Sequence, residues 1–249
     1  MIPIYNFDRL KPEEMLNRDI RAEEDVSAAV DAILADVREN GDAALLRYAR
    51  QFDGAELSAL AVTREEIDAA VAAVDPDFLT TLRLAAENIR AFHSRQVHTD
   101  FVLERENGVV MGQRYTPIEK VGICVPGHTA AYPSTVLMDA IPAQIAGVRE
   151  IVMVTPPNRE GKIADAVLAA AFVAGVTKII KSGGAQAVAA LAYGTESVPK
   201  VDKIVGPGGI YVATAKRKVF GLVSIDMPRY NILLKDDKGY PFVRLSAGE

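Results

Sequence analysis

Three glycine clusters, Val-Pro-Gly at 125–127, Ser-Gly-Gly at 182–184 and Gly-Pro-Gly-Gly at 206–209, each separate a short β-branched run from a helix-like run. Strand-like segments at Gly122–Val125, Glu150–Thr155, Lys178–Lys181, Lys203–Val205 and Val223–Asp226 alternate with helical stretches at Ser134–Ala146, Ile163–Ala174, Ala185–Ala192 and Ile210–Val219. Five strands joined by four helical crossovers predict an α/β fold with a parallel, doubly wound, Rossmann-like sheet. The strands are apolar on both faces, as Ile151-Val152-Met153-Val154 and Ile179-Ile180 show. A sheet covered by helices on both sides requires that pattern.

The chain before this sheet has a different period. From Arg21 to Tyr48, Val26, Ala29, Val30, Ile33, Leu34, Val37, Leu45 and Leu46 recur at three- and four-residue steps, with Asn40-Gly41 as a break, which predicts two amphipathic helices. Thr63 and Glu66 form a capping-box pattern opening a helix through Ala73, and Asp75-Pro76 opens another reaching about Gln96. Phe101–Arg105 and Val109–Tyr115 flank Asn107-Gly108, the signature of a hairpin with a two-residue turn. The expected division is residues 1–119, helical with a β-hairpin and part of an incomplete domain; 120–227, the α/β domain; and 228–249, a tail.

Composition narrows the partners. The chain has 249 residues and a net charge of −5, and its longest basic block is Lys216-Arg217-Lys218, which argues against nucleic acid. A single cysteine, Cys124, fits a reducing cytoplasm and excludes a disulfide framework. No stretch reaches the length of a membrane span.

In an open parallel sheet, ligands sit beyond the carboxyl ends of the strands, which is where the three glycine clusters fall. Glycine lets backbone amides approach a ligand, and the helix N-terminus that follows favours negative charge. The same glycines also suit plain strand-to-helix turns, and no G-x-G-x-x-G fingerprint is present.

Longer motifs carry a sharper signal. FHSRQ (92–96), VGICVPG (121–127), AAYPSTVLMDAIPAQIAGV (130–148), GGAQAVAALAYGTESVPKVDKIVGPGG (183–209) and IYVATAKR (210–217) occur in that order and resemble the histidinol dehydrogenase family. The similarity runs from residue 1 to about 227. It implies an NAD-dependent, zinc-containing, four-electron oxidation of L-histidinol through the aldehyde to L-histidine, by a homodimer longer than this chain.

The resemblance also assigns site residues. Gln186 matches a family position that contacts the dinucleotide. Cys124 stands where the family usually has Tyr, Gly209 where it has Asn, and His128 where a second glycine is usual, so His128 is expected to narrow the loop. Gly127 and Tyr132 complete the candidate cofactor shell, with Ser134 as a helix cap and the Tyr132 ring along the loop. Lys181 and Lys216 could attract phosphate, although lone lysines near a helix end are more often solvated, and Cys124 reads as a small buried apolar residue.

After Met227 the family continues into an Ala-Gly-Pro-Ser-Glu stretch and later supplies its zinc ligands and a Glu-His general base. Pro228–Glu249 shows no such resemblance and reads as a truncation, a frameshift or a fusion junction. The remaining histidines, His93, His98 and His128, do not make a metal ligand set, and Asp236-Asp237 reads as a solvated turn with Lys238-Gly239. Two functions stay open: an NAD-dependent dehydrogenase by descent, or a catalytically inactive fragment or pseudoenzyme that binds a nucleotide or dimerises.

Overall fold

A computed structural model describes residues 21–127 and 130–226 together with two strands beyond them, β8 (Leu233–Lys235) and β9 (Pro241–Val243), which pair antiparallel. His128 and the Asp236–Gly239 turn lie outside the described residues. The central sheet contains β3 (Lys120–Cys124), β4 (Glu150–Thr155), β5 (Lys178–Lys181), β6 (Lys203–Val205) and β7 (Ser224–Ile225). All its pairings are parallel and the spatial order is β5-β4-β3-β6-β7. The chain therefore winds outward from β3 in one direction, returns, and winds outward in the other. The crossover helices are α4 (Pro133–Ile145), α5 (Asp165–Val173), α6 (Gly184–Tyr193) and α7 (Ile210–Val219).

The N-terminal helices are divided between the two faces of the sheet. α1 (Arg21–Tyr48) packs on α6 and α7, while α2 (Arg64–Ala73) packs on α5 and α3 (Pro76–His93) on α4. Val30, Ile33, Leu34, Val37 and Leu45 of α1, five of the residues that set its period, are buried against Val188, Leu191 and Ile204. Each such side chain contributes about 1.5–3 kcal/mol when withdrawn from water. Leu82 and Ala86 of α3 join Ile123, Val136, Ile141 and Met153 on the opposite face.

At the Asn40-Gly41 break the two expected helices meet across a kink, so that α1 comprises two helical segments. Gly41 sits at φ 51°, ψ −131°, which is neither helical nor open to a residue with Cβ. The kink is tied to the loop after α6: the Asp42 amide donates to the Glu196 carboxylate at 2.8 Å, and the Asp42 carboxylate accepts from Thr195 Oγ1 at 2.5 Å and from the Ser197 hydroxyl. The capping box of α2 is present in full, with Thr63 and Glu66 bonded reciprocally. Between α1 and α2, Ala61 bridges Ile180 antiparallel, with Val62 donating to Ile179 at 2.9 Å and Lys181 to Leu60 at 2.7 Å. The outer edge of β5 is thereby covered.

The hairpin β1 (Phe101–Glu104) and β2 (Val110–Gln113) differs from expectation at its tip. Arg105 N donates to Val109 O and Gly108 N to Arg105 O, both at 2.9 Å, and Gly108 has φ 81°. This is a three-residue loop closed by a left-handed glycine, in place of the two-residue turn. All eight strand residues are exposed. Ser134 also departs from its expected role. Pro133 begins α4, Tyr132 is the N-cap with no side-chain cap bond, and Ser134 stands inside the first turn.

Candidate functional site

A cavity of about 890 Å³ opens at the carboxyl ends of β3, β4 and β6. In the order β5-β4-β3-β6-β7 the winding reverses between β3 and β6, and the crevice at such a reversal is the general ligand position of doubly wound sheets. Cys124–Gly127 line it from β3, Pro156 from β4, Gly183–Ala187 from the start of α6, and Pro207–Gly209 with Tyr211 from the start of α7. The outer wall comes from α1 and the π-helical turn Ala49–Asp53 that follows it, through Ile33, Tyr48, Phe52 and Asp53.

Pro156 holds two of the loops together. A Cβ built on Gly127 would meet its ring at 3.1 Å, and one built on Gly183 at 2.9 Å, so both glycines are pressed against the proline face. The two helix N-termini facing the cavity, preceded by Gly183 and Gly209, carry no side-chain cap. Their first amides are the groups that accept an anion at a helix start. At Gly209 a Cβ would meet nothing within 4 Å, so the cavity is open above that position.

The third loop is fixed from below by charge. The Lys216 ammonium donates to the Gly206 carbonyl at 2.6 Å and to the Asp226 carboxylate at 2.8 Å, and the Gly206 amide donates to Asp226 at 2.9 Å. Lys216 is 5% exposed, which corrects its reading as a solvated lysine. Lys181 is likewise engaged, with Glu66 at 2.5 Å. Asp139 of α4 lies against the same loop. Its Oδ2 is buried without a hydrogen-bond partner among the described residues, and burial pushes the carboxyl up to about 7, assisted by Asp226 and opposed by Lys216.

Four of the five candidate cofactor residues converge. Gln186, Cys124, Gly127 and Gly209 all line the cavity, whereas Tyr132 is absent from its lining and is 38% exposed. Cys124 is buried, and burial pushes its thiol up to about 12, so it meets a ligand as a neutral apolar group. The Tyr48 phenol is raised to about 12 by burial and by its hydrogen bond to Asp36, and stacks on Phe52 with centroids 5.2 Å apart. Tyr48, Phe52, Tyr211, Asp139 and the Lys216–Asp226 pair were not among the expected site residues. The α1 aromatics reach the cavity only through tertiary packing, and Lys216 is masked in sequence by the basic residues beside it.

Among the described residues the histidines do not assemble. His93 bonds Gln96 at 2.6 Å and His98 stacks on Tyr115, and no three His, Cys, Asp or Glu side chains suited to a metal converge among the described residues. These residues do not fit a zinc ion. Among the described residues no helix is long and apolar enough to cross a membrane.

Comparison with known proteins places these observations. The histidinol dehydrogenase family model matches residues 16–230. Histidinol dehydrogenase of Clostridium acetobutylicum is 49% identical over 232 residues, covering 92% of this chain and 54% of that protein. That of Syntrophotalea carbinolica is 56% identical over 223 residues, covering 88% and 52%. The crystal structure of histidinol dehydrogenase from Elizabethkingia anophelis superposes with a TM-score of 0.79 at 37% identity, over 85% of this chain and 52% of that one. The chain spans about half the length of these relatives.

Proposed function

Because this chain belongs to the histidinol dehydrogenase family, we propose that its cavity is the dinucleotide half of that reaction: an NAD site serving the oxidation of L-histidinol to L-histidine. The observation that carries this reading is the convergence of Gln186, Gly127, Gly209 and two uncapped helix starts at the β3/β6 reversal. Backbone amides at Gly184 and Ile210 suit the pyrophosphate, and the apolar Cys124, Val125 and Pro126 strip suits a planar ring. Gln186, 4% exposed at the start of α6, offers an amide that both donates and accepts toward ribose or phosphate.

When bound, NAD supplies a hydride acceptor; this chain's residues bind it, orient it and exclude water from one side. The alcohol proton needs a base, and the family's zinc ligands and Glu-His pair have no counterpart among the described residues. The part of the reaction assigned to these residues is therefore cofactor binding. The second reading, a nucleotide-binding module without turnover, draws on the same observation.

Titration of the purified chain with NAD, followed by calorimetry, tests the site. Gln186→Ala is expected to weaken binding about tenfold, the equivalent of one hydrogen bond to a polar ligand. No saturable binding by the parent chain at millimolar NAD would sink the proposal. Gly209→Asn is expected to weaken NAD about threefold, because the space above Gly209 is open to the side chain and an Asn N-cap takes up the first-turn amides of α7 that the ligand would use. An unchanged Kd in that variant would place the ligand away from the start of α7.

A further inference from the structure

Asp139 is a half-buried carboxyl behind the Gly206 loop, with one oxygen fully withdrawn from water, and the binding proposal leaves it without a role. It projects from α4 toward Gly206: a Cβ built there would stand 2.8 Å from Asp139 Oδ2. That oxygen is withdrawn from water without a donor among the described residues, beside the loop that follows β6. The charged groups acting on it come from two other elements: Asp226 beyond β7 and Lys216 of α7. Of the helices packed on α4, α3 directs Arg90 to Gln144 at 3.0 Å, and α5 carries Asp165 in its own first turn. One lysine is thus set between two carboxylates, and its hydrogen bonds go to Asp226 and the Gly206 carbonyl, not to Asp139.

We propose that Asp139 couples anion binding in the cavity to one proton: protonated, it leaves the Gly206–Gly209 loop free to hold a negatively charged ligand group, and ionised, it opposes that group. This rests on the dinucleotide reading of the cavity. A half-buried carboxylate behind Gly206 acts electrostatically on an anion at the start of α7, and a bound anion in turn favours the protonated carboxyl. The sign follows from burial, which raises Asp139 to about 7, so the folded chain holds a proton that the unfolded chain has released. Stability contributed by neutral Asp139 is therefore present at low pH and lost as pH rises from about 4 through about 7.

The experiment compares the parent chain with Asp139→Asn, an isostere that stays neutral, in two measurements across the same pH range. Without ligand, the gap in Tm between the two is expected to be small at about pH 5 and to open to about 5 °C by about pH 8. With NAD, the parent's Kd is expected to rise about fivefold or more over that range, whereas that of Asp139→Asn changes less than about twofold. Parallel Kd profiles in two proteins that both bind NAD overturn the coupling and leave the binding site intact. A constant Tm gap overturns it as well. Failure of both proteins to bind at any pH, with the Tm gap still opening, sinks the dinucleotide reading and the coupling with it.

Discussion

Gly206→Ala is expected to destabilise the fold by about 3 kcal/mol or more and to abolish NAD binding. Gly206 has φ 102°, a conformation L side chains avoid, so alanine is strained there whatever the space. Space is lacking too. The new methyl would overlap the Cys124 carbonyl and lie 2.9 Å from the Cys124 amide and 2.8 Å from Asp139 Oδ2. Two of these neighbours are backbone at the end of β3, which cannot retreat without disturbing its ladder with β6, where Ile123 faces Val205. Relaxing the loop instead would break the bonds from Lys216 and to Asp226. Urea unfolding and an NAD titration check the prediction, and an unchanged midpoint would mean that the loop has a second conformation of equal energy.

Lys216→Met should lower stability by about 3 kcal/mol, the low end of the range for breaking a buried pair. Methionine fills much of the same volume, so the loss reports charge and hydrogen bonding more than packing. Lys216 is nearly dry, but the Asp226 side chain is 36% exposed, and water at the carboxylate keeps the loss from being larger. Lys218 provides the control on the same helix. Its pair with Asp31 measures the same 2.8 Å, but Asp31 is 62% exposed. Lys218→Met should therefore cost less than about 1 kcal/mol. Denaturant midpoints of the two variants decide the point, and equal losses would mean that burial does not distinguish the pairs.

The strands β4, β5 and β6 were legible to the residue in the sequence, because continuous apolar runs between glycine and polar punctuation leave little choice of boundary. The helix starts were legible where a cap supplies the signal, as at Thr63 and Asp75. What escaped was tertiary. Leu60–Val62 is too short to show a period, and pairs only because β5 offers an open edge. The division of α1 from α2 and α3 across the sheet depends on which face each apolar stripe meets, which local pattern does not encode.

The candidate site divides along the same line. Gln186, Gly127, Gly209 and Cys124 lie where motif and strand end coincide, and the structure gathers all four along one cavity. Tyr132 lies outside the cavity lining because the helix begins one residue earlier than Ser134, turning Tyr132 into an exposed N-cap. Asp139 gave no signal in the sequence: one acidic residue in an otherwise apolar helix reads as a solvated face until Gly206 is seen against it.

The strand order also sets a schedule for biosynthesis. β3, β4 and β5 are neighbours in chain order as well as in space, so an emerging polypeptide can assemble them with α4 and α5 as each is made. The other side of β3 must wait for a partner about 80 residues downstream, where Asp202 receives the Lys120 amide just before β6 begins. Until then β3 presents an unpaired edge and the crevice has one wall. Docking of β6 is the longest closure among the strand pairings of the central sheet, and the crevice is completed at that step.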